Sequence, residues 1–362
     1  MREFRELRLR WTVYREGMNI AVSHKTALEQ LRRLARSNRG LAEAAPLSLP
    51  QKVSARESLN LLSRSLPEPC NTSGSTLPGG ETTATERPHA LDILVPSAEA
   101  RRNTPLLHCH IWSAKVPPGS FLRLSPDVYL STPEFVFLQM ADSLDIIQLI
   151  QLGYELCGRY VFDPTATRGW AKTANPLTTP ERISAFLAGA PVCRGRKKAM
   201  RAVKFVLANS WSPMESDLSI LLISPTRSGG YQMPAPLLNR KIQLEGDHLL
   251  RAHRDCYYLD LSWEDGNSRI HALEYQGYED HSDALALGRD RTREIILDEL
   301  GIHRIAITEY QAFRVEEFDT VVKALCKSIG RKYRKPTPNQ MDRKRKLHRE
   351  LFCRFGPDAL VS

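Results

Sequence analysis

Asp260 and Glu274 are the residues whose type and spacing best suit chemistry in this chain. Asp260 closes the apolar run Tyr257-Tyr258-Leu259, and Glu274 closes Ile270-His271-Ala272-Leu273. Between them lies Asp265-Gly266, a step that favours a tight hairpin turn. Two short antiparallel arms then carry both carboxylates to one edge of a sheet, where they repel each other unless a cation lies between them. Glu215, on a helix opened by Ser212-Pro213, offers a third carboxylate. Such a hard oxygen set suits Mg²⁺, or Mn²⁺, which holds phosphate oxygens and keeps several waters. A metal in that place generates hydroxide and stabilises the leaving oxygen of a phosphodiester.

The neighbours fit the same chemistry. Gln276 lies two residues beyond Glu274, on the same strand face, and its amide can orient an attacking water. His281 can donate or accept a proton, or bind a phosphate. Asp290 and Arg293 share one helix face, so Arg293 is expected to pair with a phosphate or with Asp290. Plainer roles compete. Ser212 and Glu215 form an S-x-x-E capping box, Asp260 could serve a turn network, and His281 could be a surface histidine. Glu274 has fewer alternatives, because strands disfavour Glu and Leu273 implies burial.

The ordered set Asp260, Glu274-x-Gln276-Gly277, His281, Asp290-x-x-Arg293 and Gly301 resembles the PD-(D/E)XK nuclease superfamily. More narrowly it is similar to the branch related to very-short-patch-repair endonucleases, whose upstream helix bears a Glu as Ser212–Glu215 does. The likeness covers residues ~200–310. It implies a restriction-endonuclease-like α/β fold, a mixed sheet flanked by helices, with a Mg²⁺ site and DNA cleavage. Gln276 stands where that superfamily carries a lysine. Residues 91–160 resemble, more faintly, the middle region of AbiE-type antitoxin proteins, through the helix start Ser131-Thr132-Pro133-Glu134; that family implies a DNA-binding regulator.

The elements that must hold these residues can be placed. Residues 1–65 are expected to form a helical region, with a helix from Ser23 through Ala35, and 66–90 a Pro/Gly/Ser/Thr-rich linker that cannot bury enough apolar area to order itself. Residues 91–195 are expected to form a smaller α+β domain with hairpin-type strands at 91–95, 106–112, 121–124 and 128–130. Helices are expected at Ser131–Glu134 onward, Asp145–Leu156, Thr179 onward and Gly195–Asn209. The nuclease-like domain is expected over 196–330, in the order helix, three strands, helix, strand, helix. Gly301 suits the left-handed position after a helix. Residues 331–362 read as a basic tail.

Net charge is +10, unevenly spread. Residues 205–330 hold 20 acids against 13 bases, while 331–354 hold 10 bases against two acids. Basic flanks suit a polyanion, since each neutralised phosphate releases counterions. Arg331, Lys332, Arg334, Lys335, Arg343, Lys344, Arg345 and Lys346, with Arg293, are the candidate DNA contacts. The Arg194–Lys204 cluster is expected to be a solvated helix face. Seven scattered cysteines without a CxxC pair point to reduced thiols rather than a zinc ribbon or disulfide frame. His108 and His110 flank Cys109, but nothing near them in sequence completes a ligand set, so an exposed strand face is the expectation.

No apolar run reaches the ~18 residues of a membrane span, and the charged opening residues lack a secretory core, so a cytoplasmic DNA partner is expected. Met18 is an alternative start to Met1. The expectation is a metal-dependent DNA endonuclease. The alternative is a non-catalytic, antitoxin-like regulator on an inactive nuclease fold; an RNA-binding module is a third.

Overall fold

The computed structural model describes residues 19–37, 41, 44–51, 53–66, 90–277 and 284–352, with the side chains of 284–287 and 289 outside that description. The chain is mixed α/β and divides into two units. The first takes the described residues up to Asp142 together with Ala185–Arg196; the second takes Ser143–Ser184 and everything from Lys197 onward.

The first unit is built on β1 (Ile20–Val22), α1 (His24–Arg36), α2 (Ala55–Ser65), β2 (Leu91–Val95), β3 (Leu107–Ile111), β4 (Phe121–Arg123), β5 (Val128–Ser131) and α3 (Pro133–Met140). Its sheet runs β3-β2-β1-β5-β4. β1 lies at the centre, between β2 and β5, so a strand from the expected helical region 1–65 shares one sheet with strands of the expected 91–195 domain. Three residues are too short to announce themselves as a strand; their pairing with distant β2 and β5 makes them one. The hairpin expectation also fails for β2 and β3, which pair in parallel. Only β4 and β5 form the expected antiparallel arms among these consecutive strands. The start of α3 follows local rules: the Thr132 hydroxyl accepts from the Phe135 amide, and Pro133 occupies the first turn.

The second unit begins with α4 (Ile146–Cys157) and the small hairpin β6 (Tyr160–Phe162) and β7 (Trp170–Lys172). Helices α5 (Pro180–Gly189) and α6 (Arg196–Ala202) follow and fall partly in each unit. α6 ends well before Asn209, continuing only as a short 3₁₀ turn. Then come α7 (Pro213–Ile223), β8 (Leu237–Gln243), α8 (Gly246–Ala252), β9 (Cys256–Glu264), β10 (Ile270–Gln276), α9 (Ala284–Glu299), β11 (His303–Thr308), α10 (Glu309–Phe313), α11 (Val315–Ser328) and α12 (Pro338–Phe352). The sheet order is β11-β10-β9-β8. β8, β9 and β10 are antiparallel neighbours, and β11 joins β10 in parallel after the crossover through α9. Gly301 takes φ +73°, ending the helix as its position in the sequence predicts.

Two features fix the framework around the acids. α7 is buried along nearly its whole length, and its internal polar groups are paired: Gln151 Nε2 donates to Asp217 Oδ1 at 2.8 Å, and the Ser219 hydroxyl donates to the Glu215 carbonyl at 2.7 Å. The C-terminal basic segment is not a solvated tail over 338–352. It is α12, with Leu347, Leu351 and Phe352 buried. Its approach needs Gly229, at φ +92°, where an added Cβ would stand 2.3 Å from the Arg343 carbonyl oxygen.

Candidate functional site

The β9–β10 register pairs Leu261 with Leu273, so one further step sets Asp260 opposite Glu274. Residues directly opposite in an antiparallel pair project to the same face. The Tyr275 amide donates to Asp260 Oδ2 at 2.9 Å, tying one arm to the other at this step. Burial, then the negative charges of Glu215 and Glu274, push the Asp260 carboxyl up to about 8. Asp260 is thus within electrostatic reach of both other acids expected to act with it.

Glu215 is 7% exposed, at the start of α7. Burial raises its proton affinity, against an opposing set of donors. The Trp211 amide and Asn239 Nδ2 donate to Oε2 at 2.8 and 2.6 Å, and the Ser212 hydroxyl donates to Oε1 at 2.9 Å. Ser212 also accepts from the Glu215 amide at 3.2 Å, so it caps the helix. Glu215 reaches back past the cap to Trp211 instead of closing the expected capping box on the Ser212 amide. Asn239 lies on β8 between the pairs Leu238–Leu261 and Arg240–Leu259, hence beside Asp260. Its φ of +48° is a conformation that Asn tolerates better than most residues.

Glu274 is 6% exposed and is held by two guanidinium groups. Arg293, on α9, donates from NH1 to Oε2 at 2.8 Å and from NH2 to Oε1 at 2.7 Å. The same NH2 donates to the Tyr258 carbonyl at 2.8 Å. Arg304, on β11, stands 3.5 Å from Oε2. Arg293 therefore pairs with Glu274, not with Asp290, which is exposed. Gln276 is exposed at the end of β10, in register with Thr308. His281 lies outside the described residues.

The donor set fits a hard divalent cation in chemistry: three carboxylates on buried positions, with Asp260 favouring its protonated form because of burial and then the charges of Glu215 and Glu274. They do not converge as closely as a cluster in the first unit. There, Asp92, His108 and His110 present ligand atoms within 4.8 Å of one another, a set that could hold a metal ion. The parallel register of β2 and β3 places Asp92 beside His108. Where the sequence suggested an exposed strand face with no set of four ligands, the neighbouring strand adds Asp92 to His108 and His110 as a third candidate ligand. Its sequence signal was present but distant, an acid at the second position of one strand and a histidine at the second position of the next. His24 stacks on His110, with ring centroids 3.5 Å apart. Sequence reasoning also missed Arg304, Trp211 and Asn239, because hydrogen-bond partners of a buried acid carry no motif of their own.

The candidate DNA contacts fall into two groups. Lys332, Arg334 and Lys335 are exposed and line a cavity of about 510 Å³ with Tyr333 and Gln340. Lys344 is buried; its Nζ bonds Asp319 Oδ1 at 2.7 Å and lies 3.5 Å from the centre of the Tyr231 ring. Arg345 pairs with Glu316 at 3.0 Å, Lys346 approaches Glu350 at 3.7 Å, and Arg343 and Arg331 reach the carbonyls of Arg227 and Gln232. The 194–204 cluster is likewise partly committed. Arg196 donates to the Leu187 and Ala188 carbonyls that end α5, and Lys198 donates to the Leu144 carbonyl at 2.7 Å.

No helix among the described residues is long and apolar enough to cross a membrane. Compared with known proteins, the chain matches no family model, no curated protein and no solved structure.

Proposed function

We propose that this protein is a metal-dependent DNA endonuclease whose reactive centre is Asp260, Glu274 and Glu215. The reading rests on one observation above others: Asp260 and Glu274 lie one register step past the Leu261–Leu273 pair of β9 and β10, and burial, then the charges of Glu215 and Glu274, push Asp260 up to about 8. The order helix, three antiparallel strands, crossover helix and parallel strand supports a restriction-endonuclease-like fold of the very-short-patch-repair type.

Asp260 and Glu274, assisted by Glu215, would hold Mg²⁺ or Mn²⁺. When bound, such an ion polarises a phosphodiester and lowers the pKa of a water. The protein's own groups do the rest. Asp260 would offer the ion its carboxylate in the deprotonated form. The Arg293 guanidinium, which forks onto Glu274 in the metal-free protein, is planar and doubly donating and would match a phosphate. Gln276, two residues on from Glu274, positions the attacking water through its amide. His281 is assigned proton transfer to the leaving group. Exposed Lys332, Arg334 and Lys335 bind the duplex backbone without reading sequence.

The test is nicking of supercoiled plasmid by the full chain in Mg²⁺ or Mn²⁺. The wild type is expected to nick, and Asp260→Ala with Glu274→Ala to abolish it. Cleavage by the double variant at the wild-type rate refutes the assignment. One observation favours a second reading, a non-catalytic DNA-binding regulator: both oxygens of Glu274 are already engaged by Arg293. Tight, metal-independent DNA binding with no cleavage in either ion would decide for it.

A further inference from the structure

We infer that the first unit carries a zinc-class metal site in which Asp92 Oδ1, His108 Nδ1 and His110 Nε2 are the ligands. It is separate from the carboxylate centre and does not depend on the nuclease reading.

His108 and His110 alternate on β3 and so share a face. Asp92, in register with His108 on β2, projects to that face. The single oxygen Asp92 Oδ1 lies 2.8 Å from His110 Nε2 and 3.5 Å from His108 Nδ1. Bonds of roughly 2.0–2.2 Å to a tetrahedral zinc separate its ligand atoms by about 3.3 Å, and these two distances straddle that value. His108 and His110 therefore converge on the same Asp92 oxygen, His108 at the outer edge of hydrogen-bonding range.

The surroundings orient the ligands. Thr26, on α1, donates to Asp92 Oδ2 from both its amide and its hydroxyl, at 3.2 Å each, and its hydroxyl accepts from the Asp92 amide at 2.8 Å. That leaves Oδ1 facing the imidazoles, the outer support that metal carboxylates require. His24 stacks on His110 with the ring planes 14° apart, which fixes the plane of the ligand ring. His108 is exposed and Asp92 buried, so the site has an inner wall and an open side for water or another fourth ligand. Two imidazoles with one carboxylate select Zn²⁺ and its neighbours in the transition series, not Mg²⁺.

The full chain, freed of metal with chelator, is titrated with Zn²⁺ and separately with Mg²⁺, reading bound metal and melting temperature. One equivalent of Zn²⁺ with low-micromolar or tighter affinity and a raised melting temperature are expected, with Mg²⁺ giving neither at this site. His108→Gln with His110→Gln is expected to lose the equivalent, while Asp260→Asn keeps it. Cobalt substitution of the wild-type chain is an independent measurement that needs no variant. Visible bands of tetrahedral Co²⁺ without thiolate charge transfer are expected. Zinc stoichiometry unchanged in the histidine variant, a thiolate band in the cobalt protein, or no bound zinc in the wild type each overturns the proposal.

Discussion

Arg293 grips Glu274 with both arms of its guanidinium, at 2.8 and 2.7 Å, while Asp260, one step past the Leu261–Leu273 pair, accepts from the Tyr275 amide at 2.9 Å. Two acids at matched positions on adjacent strands are therefore in opposite electrostatic conditions. Glu274 is held by a guanidinium fork; Asp260 is pushed up by burial and then by the charges of Glu215 and Glu274. The predictions for this centre follow from that asymmetry.

Asp260→Asn should stabilise the metal-free protein in a pH-dependent way. Folding raises the Asp260 carboxyl from 3.8 to about 8, so the folded chain keeps a proton that the unfolded chain releases. Stability from this group is full below about pH 4 and is lost as pH rises towards 8. Asn keeps the acceptor for the Tyr275 amide and has nothing to ionise. The variant should match the wild type near pH 4 and melt several degrees higher at pH 8, where 1 kcal/mol corresponds to roughly 2–4 °C. Thermal melts at both pH values check this; a constant difference across the range would refute it.

Arg293→Ala should cost about 2–3 kcal/mol, less than a wholly enclosed pair because the guanidinium is 28% exposed. Among the described residues, Glu274 would keep the more distant Arg304. The same variant should gain more stability from millimolar Mg²⁺ than the wild type does, because the vacated carboxylate is then free to ligate. Urea denaturation with and without Mg²⁺ reads both effects, and equal Mg²⁺ responses would count against Glu274 as a ligand.

The acids were legible in the sequence because each ended an apolar run on either side of an Asp-Gly turn, so the register of a hairpin carried them together. The capped helix starts at Thr132 and Ser212 were legible for the same reason: cap and proline are local signals. What the sequence hid was long-range. β1 is a strand because β2 and β5 lie on either side of it. Arg293 looked like a partner for Asp290, its neighbour on the helix, yet bonds a residue 19 positions away. Asp92 joins His108 through parallel pairing across a loop, which leaves no spacing motif. The cluster of basic residues after 330 reads as one patch in sequence, although burial divides it.

Asn239 should matter through its amide rather than its volume. Asn239→Ala removes the 2.6 Å donor to Glu215 and places alanine at φ +48°. A loss of about 2 kcal/mol is expected from the unmet buried acceptor and the backbone conformation. Asn239→Gly relieves the backbone cost but not the missing donor, so it should recover only part of the loss. Full recovery in the glycine variant, measured by denaturant titration, would show that the bond to Glu215 contributes nothing.

Burial divides the basic residues of the last segment by role. Lys332, Arg334 and Lys335 are exposed beside one cavity. Replacing all three by Ala should leave the melting temperature nearly unchanged and weaken DNA binding uniformly across sequences. If each neutralises one phosphate, the slope of log affinity against log salt should fall by about 3. Lys344 is in the opposite position: its ammonium is buried against Asp319 and the Tyr231 ring, with Tyr333 donating its hydroxyl to the same aspartate. Lys344→Met should therefore strand a carboxylate, destabilise the fold by about 2–3 kcal/mol and leave the salt slope of the surviving folded protein intact. Filter binding over a salt series, paired with melts, separates the two. A Lys344 variant that loses salt slope without losing stability, or a triple variant that does the reverse, would show that charge at the surface and charge in the core have been assigned the wrong way round.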